Sequence, residues 1–239
     1  RYTGLVGKQP GAADNWVKEE LPGAQNTCRS ELDIIWMSDT IELQVVIDRS
    51  GSMSSENKMQ NAKQAAQNLV DLLDEGKTAA GFISFSSTNT VNFPITNIPE
   101  NDNGIVKGAL KASISAINAS GGTQMYDAAE TALNGLKAYS AANNTKASQV
   151  TFLLTDGVSS GDDNQPEPVA TAYKKAEVPI ITFAYGSNAD ASQLQALSNA
   201  TGGRFFSSPV SLAQIQQAFI EAQTLISEAR SVVNQTSNI

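Results

Sequence analysis

"IELQVVIDRSGSMSS", residues 41 to 55, holds the reading on which the rest of the chain turns. Its first seven residues are an apolar-rich run of the kind that forms a buried strand. The run stops at Ile47, and Asp48, Ser50 and Ser52 follow at alternate positions. Each of them alone is ordinary turn or helix-cap chemistry, because Asp, Ser and Gly dominate turns and Asp and Ser lead the N-cap preferences. Three converging with donors from other loops would need another reason.

Outward from this stretch, apolar β-rich runs alternate with helical patterns. The strand candidates are 41–47, TAAGFISF (78–85), NTVNFPI (89–95), QVTFLLT (149–155), VPIITFAY (178–185) and GRFFSS (203–208). Between the first two, Met59, Ala62, Ala66, Leu69 and Leu73 recur at helical spacing and mark an amphipathic face. A last helix is expected from Leu212, Ile215, Phe219, Ala222, Ile226, Ala229 and Val233, opened by a capping box of Ser211 and Gln214. Such alternation predicts an α/β fold with a doubly wound, mostly parallel sheet. Sheets of that kind bind ligands beyond the carboxyl ends of their strands, where the strand order switches. The loop after Ile47 lies where a site is expected.

Residues 1–40 read differently. Both tryptophans, Trp16 and Trp36, fall there beside the loop-like GKQPGAADN, so this part is expected to be an N-terminal extension or the remnant of a neighbouring domain. The main domain is expected over 41–234, with a short tail at 235–239.

Composition narrows the function. The 239 residues are 41% hydrophobic and 17% charged, and no apolar stretch approaches the roughly 18 to 20 residues that span a bilayer. A formal charge of −8 argues against a nucleic-acid partner, which would need clustered Lys and Arg. The chain has no His, which removes the Ser/His/Asp triad, the HExxH zinc helix and imidazole general-base chemistry. The single Cys28 cannot close a disulfide within the chain. Because it starts at Arg1, the chain is expected to be a fragment of something longer. Four N-x-S/T sequons, at Asn118, Asn143, Asn199 and Asn234, are no more than its Asn, Ser and Thr content gives by chance.

Two further loops carry suitable chemistry. LLTDG places Asp156 directly after a second buried strand, and SGGTQMYDAAE places Thr123 after two glycines at the start of a helical pattern. With Asp48, Ser50 and Ser52 they supply two carboxylates and three hydroxyls. All are hard oxygen donors, which suit Mg²⁺ first, with Ca²⁺ or Mn²⁺ as alternatives, and not zinc or copper. Two aspartates balance a divalent charge and hydroxyls add none, so the metal remains able to attract one more carboxylate from outside. Gly121 and Gly122, like Gly51 and Gly157 beside the motif residues, would let backbone approach such a site closely. Asp127 is expected in the first turn of a helix, favoured by the dipole. SSGDDNQPE does not match the EF-hand spacing and is expected to be a solvated loop.

DRSGSM, GGT and LLTDG, in this order on this alternation, resemble the von Willebrand factor type A (VWA) domain and its metal-ion-dependent adhesion site, over roughly residues 41–230. The resemblance implies a Rossmann-like, six-stranded sheet flanked by helices, with one antiparallel edge strand. It also implies that Ser50, Ser52 and Thr123 bind one divalent cation directly, that Asp48 and Asp156 bind it directly or through water, and that a protein partner's Asp or Glu completes the shell. NTCRSELDIIW leading into LQVVIDRSGSM is similar to the calcium-activated chloride channel regulator family, including bacterial relatives. Those proteins carry a separate zinc-protease domain, which this His-free chain lacks, and Cys28 stands alone where a cysteine-rich segment would supply a partner.

The first expectation is therefore a metal-dependent interaction module, extracellular or at the cell surface, in a longer parent and not an enzyme. The alternatives are an assembly subunit beside a separate ATPase, since no GxxxxGK[ST] loop occurs here, a clamp on a neighbouring domain of the same parent, and a metal-assisted hydrolase, disfavoured without His or a second metal cluster.

Overall fold

The strand run at residues 41–47 becomes β1 (Ile41–Asp48), the hub of the molecule, and six of its eight side chains from Leu43 onward are buried, as is Glu42. A computed structural model describes residues 40–185 and 189–207, all within one compact unit, Met37–Ile239. The expectations for residues 1–39, for the last helix and its capping box, and for the C-terminal tail lie outside the described residues.

After β1 come α1 (Lys58–Leu72), β2 (Thr78–Phe85), β3 (Asn89–Asn97), α2 (Ile105–Ala116), α3 (Met125–Asn143), β4 (Ser148–Thr155), α4 (Pro166–Lys175), β5 (Ile180–Ala184), α5 (Ala191–Ala200) and β6 (Phe205–Phe206). The six strands form one sheet in the order β3-β2-β1-β4-β5-β6. Every neighbouring pair is parallel except β2 with β3, so the expected antiparallel edge strand is β3. Pro94 fits there because an edge strand leaves one row of backbone groups unpaired, and a residue without an N–H costs nothing on that side.

Alternation along β1 divides the core into two layers. Leu43, Val45 and Ile47 pack against α1 and α2 through Ala62, Ala66, Leu69, Leu110 and Ile114. Val46 faces the other way, into the layer built by Ala129, Ala132 and Leu133 of α3, Tyr173 of α4 and Leu197 of α5. Helices thus cover both faces, which is why the central strands read as apolar runs.

The expected strand boundaries shift little, with one exception. GRFFSS contributes only Phe205 and Phe206 to the sheet. Helix α2 is absent from the sequence reading: IVKGALKASISA mixes β-branched residues, Gly and Ser, all weak helix formers, and its Ile105 is exposed. Tertiary packing of Leu110 and Ile114 holds it in place.

Because β1 lies between β2 and β4 while the chain crosses from one side to the other, the carboxyl ends of β1 and β4 flank the switch point of the sheet. Asp48 ends β1 and Asp156 follows β4 directly. The topology alone brings together two carboxylates 108 positions apart in sequence numbering.

Candidate functional site

The β1 turn is organised by Asp48 itself. Its carboxylate is fully buried; Oδ1 accepts the Ser50 backbone N–H at 2.6 Å and Oδ2 accepts the Thr155 hydroxyl. Burial pushes the Asp48 carboxyl above its ordinary range; the hydrogen bonds from Thr155 and Ser50 oppose this, and the nearby charge of Asp156 adds to it. A group so placed gains from a cation.

The three motif residues are not helix caps. A short 3₁₀ turn, Gly51–Ser54, follows Ser50, which makes no side-chain capping bond, and α1 begins only at Lys58, behind Asn57. Their side chains turn instead to one another and to β4. Ser50 Oγ and Ser52 Oγ lie 2.9 Å apart, and Ser52 Oγ donates to Asp156 Oδ1 at 2.6 Å. Ser50 is buried while Ser52 is exposed, so the cluster opens to solvent at Ser52.

Thr123 reaches the same place from a third loop. The Gly157 backbone packs between them: a Cβ added there would lie 3.4 Å from Thr123 Oγ1 and 3.8 Å from Ser52 Oγ. Thr123, expected at the start of the helix, instead lies one residue before the cap Gln124, where its carbonyl accepts the Ser160 N–H at 2.8 Å. Gly121 has φ +86°, and its carbonyl accepts the Gly51 N–H at 3.0 Å, tying the first loop to the third. That φ is the left-handed region that favours glycine. Gly122 donates its N–H to Ser87 Oγ at 2.8 Å. All five expected donors and the four flanking glycines therefore meet at one sheet end.

Asp127 occupies the first turn of α3, as expected, and does more than face the dipole. Its carboxylate accepts the backbone N–H groups of Asp163 and Asn164 at 3.0 and 2.9 Å, while its own N–H donates to Asp162 Oδ1 at 3.0 Å. No residue of SSGDDNQPE is buried, in line with the solvated loop expected there, but Asp162 is half-buried, also accepts the Ser159 hydroxyl, and is pushed above its usual range chiefly by burial. Its last residues, Pro166 and Glu167, already belong to α4.

Two residues at the site were not anticipated. Thr155, which donates to Asp48, reads in the sequence only as the end of a strand. Lys58 is 4% exposed, and its Nζ lies 2.7 Å from Asp156 Oδ2. Its only sequence signal is a cation just before the first apolar residue of the helical pattern.

Chemically the cluster offers two carboxylates, three hydroxyls and no nitrogen or sulfur ligand. Among the described residues no group of three or more His, Cys, Asp and Glu forms a metal cluster, so hydroxyls must supply much of any coordination. Oxygen-only donors with room left for solvent or an outside ligand fit a hard divalent ion.

The profile of the von Willebrand factor type A domain matches residues 42–220. The chain belongs to that family. VWA domains are in general non-catalytic, protein-interacting modules, and the six-stranded, mostly parallel α/β architecture is theirs. Calcium-activated chloride channel regulator 1 of Bos taurus is 30% identical over 198 residues, a match covering 80% of this chain and 20% of that protein. The chain thus spans about a fifth of that relative's length. Among solved structures, a von Willebrand factor type A protein from Catenulispora acidiphila superposes with a TM-score of 0.63 at 21% identity, over 77% of this chain and 42% of that one. Proximal thread matrix protein 1 from the mussel byssus gives 0.62 at 20% identity, over 78% and 46%, and was solved with a zinc-occupied MIDAS motif. These structural likenesses show the VWA fold. The mussel protein also shows that zinc can enter a MIDAS motif, which donor softness alone would not suggest.

Within the described residues no helix is long and apolar enough to cross a membrane.

Proposed function

We propose that this VWA domain is a divalent-metal-dependent protein-interaction module. Asp48, Ser50, Ser52, Thr123 and Asp156 hold one cation, Mg²⁺ in the first instance with Ca²⁺ or Mn²⁺ as alternatives, and the cation binds an Asp or Glu side chain of a protein partner. The observation that carries this reading is the meeting of three loops at the switch point, linked by the Ser50–Ser52–Asp156 chain of hydrogen bonds and by the approach of Gly157 to Thr123. Buried carboxylates without a cation are costly, and the upward pressure on Asp48 is that cost. A metal removes it.

The distant relationship to chloride channel regulators supports an extracellular or cell-surface setting within a longer, multidomain parent. The division into an N-terminal extension at 1–40, the module at 41–234 and a tail at 235–239 belongs to the same proposal. Pull-down of surface or matrix proteins in Mg²⁺, repeated in EDTA and with Asp48→Ala, tests it. Capture should disappear in both controls, and capture that survives EDTA contradicts the mechanism.

A further inference from the structure

The Lys58–Asp156 pair is poorly explained by stability. Lys58 is the first residue of α1, where the helix dipole disfavours a cation, and its ammonium is almost wholly removed from water. A buried ion pair is often no more stabilising than apolar residues of the same size. The cation must be sought in what it does to the site.

Lys58 touches the face of Asp156 that the hydroxyls do not use. Asp156 Oδ1 is taken by Ser52 Oγ at 2.6 Å, and Oδ2 by Lys58 Nζ at 2.7 Å. Arg49, the other cation on these loops, turns its guanidinium to Ser120 Oγ at 3.1 Å. Counting Asp48, Asp156 and the Lys58 ammonium that pairs with Asp156, the charges sum to −1. A divalent ion raises the site to +1, whereas without Lys58 it would only neutralise it.

On the reading of this cluster as a metal site, we propose that Lys58 is a positioning residue that leaves the metal-loaded site with an unbalanced positive charge, making tight metal binding depend on an incoming carboxylate. The ammonium repels the metal, so the ion alone binds weakly. An acidic ligand cancels the excess charge, and by reciprocity metal and ligand then strengthen each other. The module is thereby biased toward holding its metal when it holds its partner.

The test uses Mn²⁺ alone, followed by the electron paramagnetic resonance signal of the free ion, and acetate as the probe carboxylate, on wild type, Lys58→Gln, Lys58→Met and Lys58→Arg. Gln keeps a hydrogen-bond donor for Asp156 without the charge, and a thermal midpoint in EDTA checks that each variant is folded. Lys58→Gln should bind Mn²⁺ about tenfold more tightly than wild type, and acetate should strengthen its Mn²⁺ binding less. A purely structural role would have the opposite sign, since loosening Asp156 would weaken Mn²⁺ binding. Lys58→Arg retains the charge and should match wild type; a tenfold change there would overturn charge as the cause, even if both neutral variants fail to fold. Unchanged or weaker Mn²⁺ binding in folded Lys58→Gln or Lys58→Met, with wild type binding normally, overturns the role of Lys58 alone. Absence of Mn²⁺ binding in every protein overturns the metal-site reading and this inference with it.

Discussion

The Ser52 hydroxyl donates to Asp156 Oδ1 across 104 residues of chain, joining the loop after β1 to the end of β4 at 2.6 Å. This bond fixes the geometry in which the remaining donors face one another. A hydrogen bond to a charged group contributes about 1.5–3 kcal/mol when buried, and less at a position as open as Ser52. Ser52→Ala should therefore lower the stability of the metal-free protein by about 1 kcal/mol in urea denaturation. It should also weaken Mg²⁺ binding, because it removes a donor oxygen. Wild-type Mg²⁺ affinity in Ser52→Ala would exclude that hydroxyl from the site.

Asp48 makes the opposite kind of prediction. Its carboxylate is fully buried and held above the usual range by that burial, so its ionised form costs stability when no cation is present. Asn can accept the Ser50 N–H and donate to Thr155 Oγ1 without a charge. The thermal midpoint of Asp48→Asn in EDTA should equal or exceed that of wild type. A fall of several degrees would show that the carboxylate stabilises the metal-free fold and that the argument from burial is mistaken.

Gly121 links the threonine loop to the first loop. Its φ of +86° and a would-be Cβ 2.9 Å from Ser87 Oγ leave no unstrained place for a side chain. Gly121→Ala should cost about 1–2 kcal/mol, read from chemical denaturation, and should reduce metal affinity by displacing Thr123. A neutral effect on both would mean that the loop relaxes freely.

Away from the site, Asp190 caps α5, accepting the N–H groups of Ser192 and Gln193 at 3.1 Å. The Ser192 hydroxyl bond and then the Gln193 N–H hold its carboxyl below the ordinary range. A depressed folded-state pKa stabilises above the unfolded value of about 3.9, and that contribution is lost as pH falls through the lower folded value. Asp190→Ala should cost about 1 kcal/mol at neutral pH, and the difference between the two proteins should shrink on acidification below about pH 4. Urea denaturation at both pH values measures it, and a penalty that grows in acid would reverse the assigned sign.

Much of the architecture was legible because it depends on local pattern. The runs at 41–47, 78–85 and 149–155 lie in central strands covered on both faces, and burial writes itself into such strands as apolar residues. Asp48, Ser50, Ser52, Thr123 and Asp156 were visible as oxygen-bearing residues at strand ends and loop turns. Helix α2 was not, because packing overrides its weak propensity. Lys58 escaped notice because its meaning lies in Asp156, 98 residues away, and spacing within α1 carries no trace of that partner. The same holds for Asp127, whose hold on Asp163 and Asn164 arises only when α3 meets the loop after β4.

Equilibrium dialysis with Mg²⁺ on wild type and Asp48→Asn tests the central claim most directly. The account predicts one Mg²⁺ per wild-type chain, measured with acetate present, and none on the variant. Equal Mg²⁺ binding by both proteins, or none by wild type at millimolar Mg²⁺, would contradict it.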